Sequence, residues 1–139
     1  MKKVFDSWAM LAWLQDEKPA CDQVQYILNL AENREIELLM NLINVGEVYY
    51  RLIRSKNEDA AEFFWNRLQN MPIKLIDVSK SLILIAAKLK GKYQISYADA
   101  FAIATAITNE CPVLTGDPEF RRVSALVDIE WLKRQDGGG

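Results

Sequence analysis

Apolar positions along the chain follow two rhythms. Short, nearly continuous apolar runs alternate with longer stretches in which apolar residues recur every three or four positions. "KKVF" is a strand-length run that passes directly into a helical stretch, "SWAMLAWLQ". "CDQVQYILNLAEN" predicts a second helix and "EIELLMNL" a second strand. "VGEVYYRLIRS" and "EDAAEFFWNRLQNM" predict helices on either side of the polar turn "KNED". A strand, "IKLIDV", then precedes two helices, "SKSLILIAAKLKGKY" and the run around "YADAFAIATA". "PVLTG" predicts a strand, "DPEFRRV" a turn or short helix, and "VDIEWL" a last strand. Strands alternating with helices predict an α/β fold with a mainly parallel central sheet flanked by helices. With no internal repeat and no linker rich in Pro, Gly or Ser, residues 1–135 read as one domain. Residues 136–139, which end in "GGG", read as a flexible tail.

One residue sits awkwardly in this pattern. Asp99 lies near the start of a helix whose neighbouring positions on its own face are Ala102, Ile103 and Ala106. A carboxylate buried there without a partner would cost several kcal/mol, or would take up a proton.

Composition narrows what such an acid can do. Half of the 139 residues are hydrophobic and 26% are charged, as in a globular domain. No apolar run is long enough to span a bilayer, so no membrane association is expected. Asp6 interrupts the apolar N-terminal run, which argues against a signal peptide and for a cytoplasmic protein. Cys21 and Cys111 form no CxxC pair and read as space-filling thiols. The chain has no histidine, which removes Ser-His-Asp and Cys-His hydrolysis, imidazole base catalysis and histidine-ligated zinc. What remains is chemistry on carboxylates, hydroxyls, lysine or arginine, or on a hard metal held by oxygen. A net charge of −2 offers no general attraction for a polyanion, so nucleic acid would bind through local patches or through metal.

Four acids stand at junctions of the pattern: Asp6 after "KKVF", Glu47 in "NVGEV", Asp99 in "SYAD" and Asp117 in "LTGDPEF". Each has a structural explanation. Asp6 or Ser7 can cap the helix that follows, and Asn44–Glu47 and Ser96–Asp99 have capping-box spacing. Glu47 precedes Arg51 by four residues, and Asp117 can cap a turn opened by Pro118. Yet all four are expected in first turns of helices, with Asp6 and Asp117 directly after strands. In an open parallel sheet these positions share the edge where ligands bind. Carboxylates about 5 Å apart repel by about 3 kcal/mol per pair at an effective dielectric near 20. A divalent cation reverses that sign, and oxygen ligands favour Mg²⁺ or Mn²⁺. Arg51, Arg54, Lys56, Arg121 and Arg122 follow two of the acidic blocks and either hold RNA phosphates or form a solvated charged face. Phe63, Phe64 and Trp65 read as core or dimer contacts rather than as base-stacking residues.

These blocks together resemble the PIN-domain ribonucleases, and among them the VapC-type toxins of bacterial toxin–antitoxin pairs. The resemblance runs through "VFDSWAMLAWL", "INVGEVYYRL", "ISYADAFAIATA" and "CPVLTGDPEF", in the family's order and over nearly the whole chain. It places the family's acids on Asp6, Glu47, Asp99 and Asp117, and its supporting hydroxyls on Ser7 and Thr115. It implies a single PIN-like domain, RNA cleavage dependent on Mg²⁺ or Mn²⁺, homodimers, and inhibition by a small antitoxin that packs on the N-terminal helices. Asp6, Glu47 and Asp99 would then be metal ligands, with Asp117 joining them or orienting the attacking water. Ser7 and Thr115 would hydrogen-bond the ligands from behind. The alternative is a catalytically silent PIN-like interaction module whose acids only cap helices. A phosphotransfer domain ranks third, since Trp8 stands where a second acid would be needed and Asp77 is a poor acceptor.

Overall fold

The structure, a computed structural model, describes residues 1–133; the expected domain end at residue 135 and the tail at 136–139 lie outside the described residues. Strand β1 (Lys2–Phe5) leads into α1 (Ser7–Leu14) and α2 (Ala20–Glu32). Strand β2 (Glu37–Asn41) leads into α3 (Leu42–Ser55) and α4 (Glu58–Leu68), and β3 (Ile73–Ile76) into α5 (Lys80–Lys92) and α6 (Tyr97–Asn109). Strand β4 (Val113–Thr115), a 3-10 helix over Pro118–Val123 and β5 (Ile129–Trp131) complete the order. The five strands form one sheet, β3-β2-β1-β4-β5, in which every pairing is parallel. This is the expected α/β fold.

Parallel neighbours cannot be joined by a tight turn, so each return crosses a face of the sheet through helices. Both faces are therefore covered, which is why the inner strands read as continuous apolar runs. Side chains alternate between the two faces. Phe5, Leu38, Met40 and Leu114 pack with α1 to α4, whereas Val4, Leu39 and Val113 pack with α5, α6 and Phe120. Among the described residues no helix is long and apolar enough to cross a membrane.

One boundary differs in a way that matters for the site. The sequence pattern puts the start of α3 near Val45, with Asn44 as its cap, but the helix begins at Leu42. Asn41 ends β2 and is itself the cap, its side chain accepting from the Ile43 amide at 2.8 Å. The Asn41 amide nitrogen also donates to Thr105 Oγ1 at 3.2 Å, fixing the end of β2 to the middle of α6.

The strand order has a reversal at its centre. From β1 the chain moves outward to β2 and β3, then returns to add β4 on the other side of β1. A crevice opens at the carboxyl ends of strands at such a reversal, because the connections leave in opposite directions. Asp6 and Asp117 follow the two strands that flank it.

Candidate metal centre

Local capping explains how three of the acids are held. Asp6 caps α1 and accepts from the Ala9 amide at 2.8 Å. Asp117 caps the 3-10 helix and accepts from the Glu119 amide at 3.0 Å, with Pro118 at the first helical position. Ser96 caps α6 and accepts from the Asp99 amide at 3.0 Å, which sets Asp99 in the first turn. Glu47 departs from expectation. Because α3 starts at Leu42, it lies in the second turn, and the Asn44–Glu47 capping box does not form.

Asn44 has a different part. It is fully buried, donating through Nδ2 to Ala98 O at 3.0 Å and to Ser7 Oγ at 3.3 Å. The Ser7 hydroxyl lies 3.3 Å from Asn44 O, to which it donates. Asn44 thus joins α1, α3 and α6, the helices beside or within which Asp6, Glu47 and Asp99 stand. Among the described residues the hydrogen bonds of Ser7 go to Asn44 and not to an acid. Thr115 is placed otherwise: its hydroxyl accepts from the Asp117 amide at 3.1 Å and hydrogen-bonds the Asp6 carboxylate.

Three of the four predicted acids are buried: Asp6 is 1% exposed, Glu47 7% and Asp99 8%. Carboxylate oxygens of Asp99, Asp117 and Glu119 lie within 4.8 Å of one another. This tight cluster among the described residues takes in Asp99 and Asp117 but not Asp6 or Glu47. Asp6 feels the charges of Asp99 and Asp117, and Asp99 those of Asp117, Glu47 and Glu119. Burial, reinforced by Asp99 and Asp117 and opposed by bonds from Thr115 and Ala9, pushes the Asp6 carboxyl up to about 8. Burial, with Asp117 and Glu47 adding to it and the Ser96 bond opposing it, pushes Asp99 up to about 7.

Glu119 is the acid that the sequence pattern did not single out. It lies two residues beyond Asp117 in a 3-10 turn, where spacing follows neither the α-helical nor the strand period. Its carboxylate oxygen Oε1 is 3.4 Å from an Arg122 nitrogen, and the same Arg122 nitrogen donates to Gln94 O at 2.6 Å.

The donor set suits a hard divalent cation. It consists of carboxylate oxygens, and Glu47 Oε1 is buried with no hydrogen-bond donor among the described residues. The other Glu47 oxygen faces Arg51 Nε at 3.4 Å. Two carboxyls whose pKa values burial and mutual repulsion hold high would both ionise readily beside such a cation.

The remaining arginines are exposed, with partners of their own. The Arg54 guanidinium lies 5.0 Å over the Tyr50 ring and that of Arg121 5.8 Å over the Trp131 ring. Phe64 is buried in the core, while Phe63 and Trp65 are exposed. Cys21 is buried and Cys111 partly so, and neither forms a disulfide.

The PIN domain family model matches residues 3–126. A search of the curated proteins gives no match. Among solved structures, a chain of VapBC2 from Rickettsia felis, bound to a DNA fragment from its promoter, superposes with a TM-score of 0.73 at 16% identity. That match covers 96% of this chain and 100% of the other. VapC20 of Mycobacterium tuberculosis, a toxin that cleaves the sarcin-ricin loop, gives a TM-score of 0.72 at 14% identity, covering 87% and 94%. DNA-bound VapBC from Salmonella typhimurium gives 0.67 at 16%, covering 94% and 97%. At these identities the structures speak for the fold, while the family model spans most of the sequence, the blocks carrying Asp6, Glu47, Asp99 and Asp117 included. The chain belongs to the PIN-domain family.

Proposed function

We propose that this chain is an endoribonuclease dependent on Mg²⁺ or Mn²⁺, the toxin of a toxin–antitoxin pair. The observation that carries the reading is the gathering of buried acids at the β1/β4 reversal, with Glu47 Oε1 left without a donor. Asp6, Glu47, Asp99 and Asp117 would hold the cation, and the nearby Glu119 supports the charge of the set. Such a cation supplies a water acidified toward neutral pH and a counter-charge for the phosphate, so the reaction needs no histidine. The chain's own residues do the rest. Thr115 holds Asp6 and the Asp117 amide in one arrangement, and Ser7 with Asn44 fixes the helices that carry the acids. Arg51, Arg54, Arg121 and Arg122 are exposed near two of the acidic blocks and would bind RNA phosphates.

The matches to VapBC complexes support a small antitoxin as partner, and the activity named for the Mycobacterium tuberculosis toxin supports RNA as substrate. A groove of about 390 Å³ between α1, α2, α3 and α4, lined by Trp13, Leu14, Leu52 and Phe63, would receive the antitoxin. A homodimer acting in the cytoplasm completes the reading.

The test is cleavage of a panel of purified RNAs with and without Mg²⁺ or Mn²⁺. Asp6→Asn, Glu47→Gln and Asp99→Asn should each lower cleavage by two orders of magnitude or more (about 3 kcal/mol of activation free energy) while remaining folded. EDTA should do the same to the unaltered protein. Cleavage by Asp99→Asn in EDTA equal to that of wild type with metal would reject the mechanism. A folded wild type that cleaves nothing and shows no metal response would favour the silent module.

A further inference from the structure

Asn44 and Glu47 are one turn apart on α3, and each carries a buried oxygen with no donor among the described residues: Asn44 Oδ1 and Glu47 Oε1. Buried acceptors are satisfied in nearly all folded proteins, so two orphans at adjacent positions of one helix face call for a common explanation. The orientation of the Asn44 amide is not open to choice. Its nitrogen faces Ala98 O, which can only accept, so turning the amide over would set two acceptors 3.0 Å apart. Oδ1 is therefore committed to the side where no protein donor stands.

A water has two hydrogens to donate, and a buried one needs two or more polar partners. Lysine or arginine could also donate. Arg51 already faces the other Glu47 oxygen, and α3 carries no cation within one turn of Asn44. The neighbouring acids, Asp99 above all, offer only acceptors when ionised. We propose that Asn44 is a positioning residue of the carboxylate centre. Its Nδ2 locks α1, α3 and α6 together, and its Oδ1 shares with Glu47 Oε1 one water whose lone pairs face the cation held by the acids. Both hydrogens of that water are spent on the two oxygens, so its orientation is fixed. An amide suits this place better than a carboxylate, because it accepts without adding a further negative charge to the cluster. The inference rests on the proposed cation site and adds a neutral side chain to it.

A double-mutant cycle on Mn²⁺ affinity, measured by calorimetry on the full chain at a temperature where every variant is folded, tests this. Asn44→Ala should weaken Mn²⁺ binding about tenfold in the wild-type background and less than twofold in the Glu47→Ala background, where the second acceptor and with it the shared water are already lost. Asn44→Asp, which keeps an acceptor but loses the bonds to Ala98 and Ser7, should lose thermal stability as Asn44→Ala does while keeping its Mn²⁺ affinity. Asn44→Ala with wild-type affinity, or with the same factor lost in both backgrounds, would overturn the shared water and leave a purely structural asparagine. Asp99→Asn keeps the two readings apart. If neither it nor the wild type binds Mn²⁺, the cation site is refuted and the water with it. If the wild type binds and Asn44→Ala matches it, the water alone is refuted.

Discussion

Asp99 is followed along its face of α6 by Ala102, Ile103 and Ala106, all fully buried, and its own carboxyl meets the charges of Asp117, Glu47 and Glu119. The unfolded chain holds the same carboxyl at 3.8, the folded one at about 7, and for Asp6 the folded value is about 8. A carboxyl whose pKa rises on folding binds its proton more tightly in the native state, so its ionisation opposes folding. That opposition is absent below about pH 4, grows as pH rises, and is complete for Asp99 above about pH 7 and for Asp6 above about pH 8. Each group contributes a slope of at most about 1.4 kcal/mol per pH unit within its window. Asp99→Asn removes one of the two at nearly constant shape. Metal-free Asp99→Asn is therefore expected to match wild type near pH 4.5 and to exceed it by about 1–3 kcal/mol at pH 8.5. Thermal melts in EDTA across this range check the sign, and a mutant less stable than wild type at pH 8.5 would mean that the acids do not converge. Added Mn²⁺ should reverse the trend in wild type, stabilising more at pH 8.5 than at pH 6, because the cation must displace the protons.

The elements show which signals the sequence carries and which it hides. Strands β1, β2 and β3 and the helices between them were legible because parallel strands covered on both faces must be apolar throughout, while the helices keep a polar side. Asp6, Asp99 and Asp117 were legible as caps beside strands or helix starts, and all three cap or first-turn placements are found. The start of α3 was not, because Asn41 and Asn44 are both competent caps and local spacing does not choose between them. The choice is made by Thr105, 64 residues away, which receives the Asn41 amide. Asn44 and Glu119 escaped for the same reason: the partners of Asn44 are 37 and 54 residues distant, and Glu119 meets Asp99 only after the sheet has formed. Asn41→Ala is expected to cost about 1–2 kcal/mol for the lost cap, and more for the donor lost at the Thr105 hydroxyl, which keeps its own bond to Phe101 O, as read from the shift of a urea midpoint at constant slope. A cost below 0.5 kcal/mol would mean that Asn44 takes over the cap, and with it the start of the helix.

At the scale of the whole molecule, Gly116 shows how closely the two halves of the centre meet. A methyl group there would lie 2.5 Å from Trp8 Cζ3 and 2.7 Å from Cζ2, so the turn before Asp117 rests directly on the first turn of α1. With the Trp8 ring in this position, a Cβ at residue 116 would force the ring to shift. Replacing Gly116 by Ala is expected to weaken Mn²⁺ binding, and truncating Trp8 to Ala in the same chain to restore part of the loss. Additive losses in the double variant would show that the contact does not position Asp117.

Strand β4 is the last of β1's neighbours to be made, and Val4 finds Val113 only after more than a hundred residues have intervened. On a ribosome, at about 5–20 residues per second, Asp6 leaves the tunnel on the order of ten seconds before Asp117. During that interval the nascent chain has α1, α2 and β2 but only part of its acidic set. An acidic centre assembled this way is completed only when the final third of the chain closes against the first strand. Chains halted before Val113 should accordingly bind no Mn²⁺, whereas chains extended past Val123 should. If the proposed antitoxin packs on the N-terminal helices, that difference gives it a window in which to bind before the acidic set is complete.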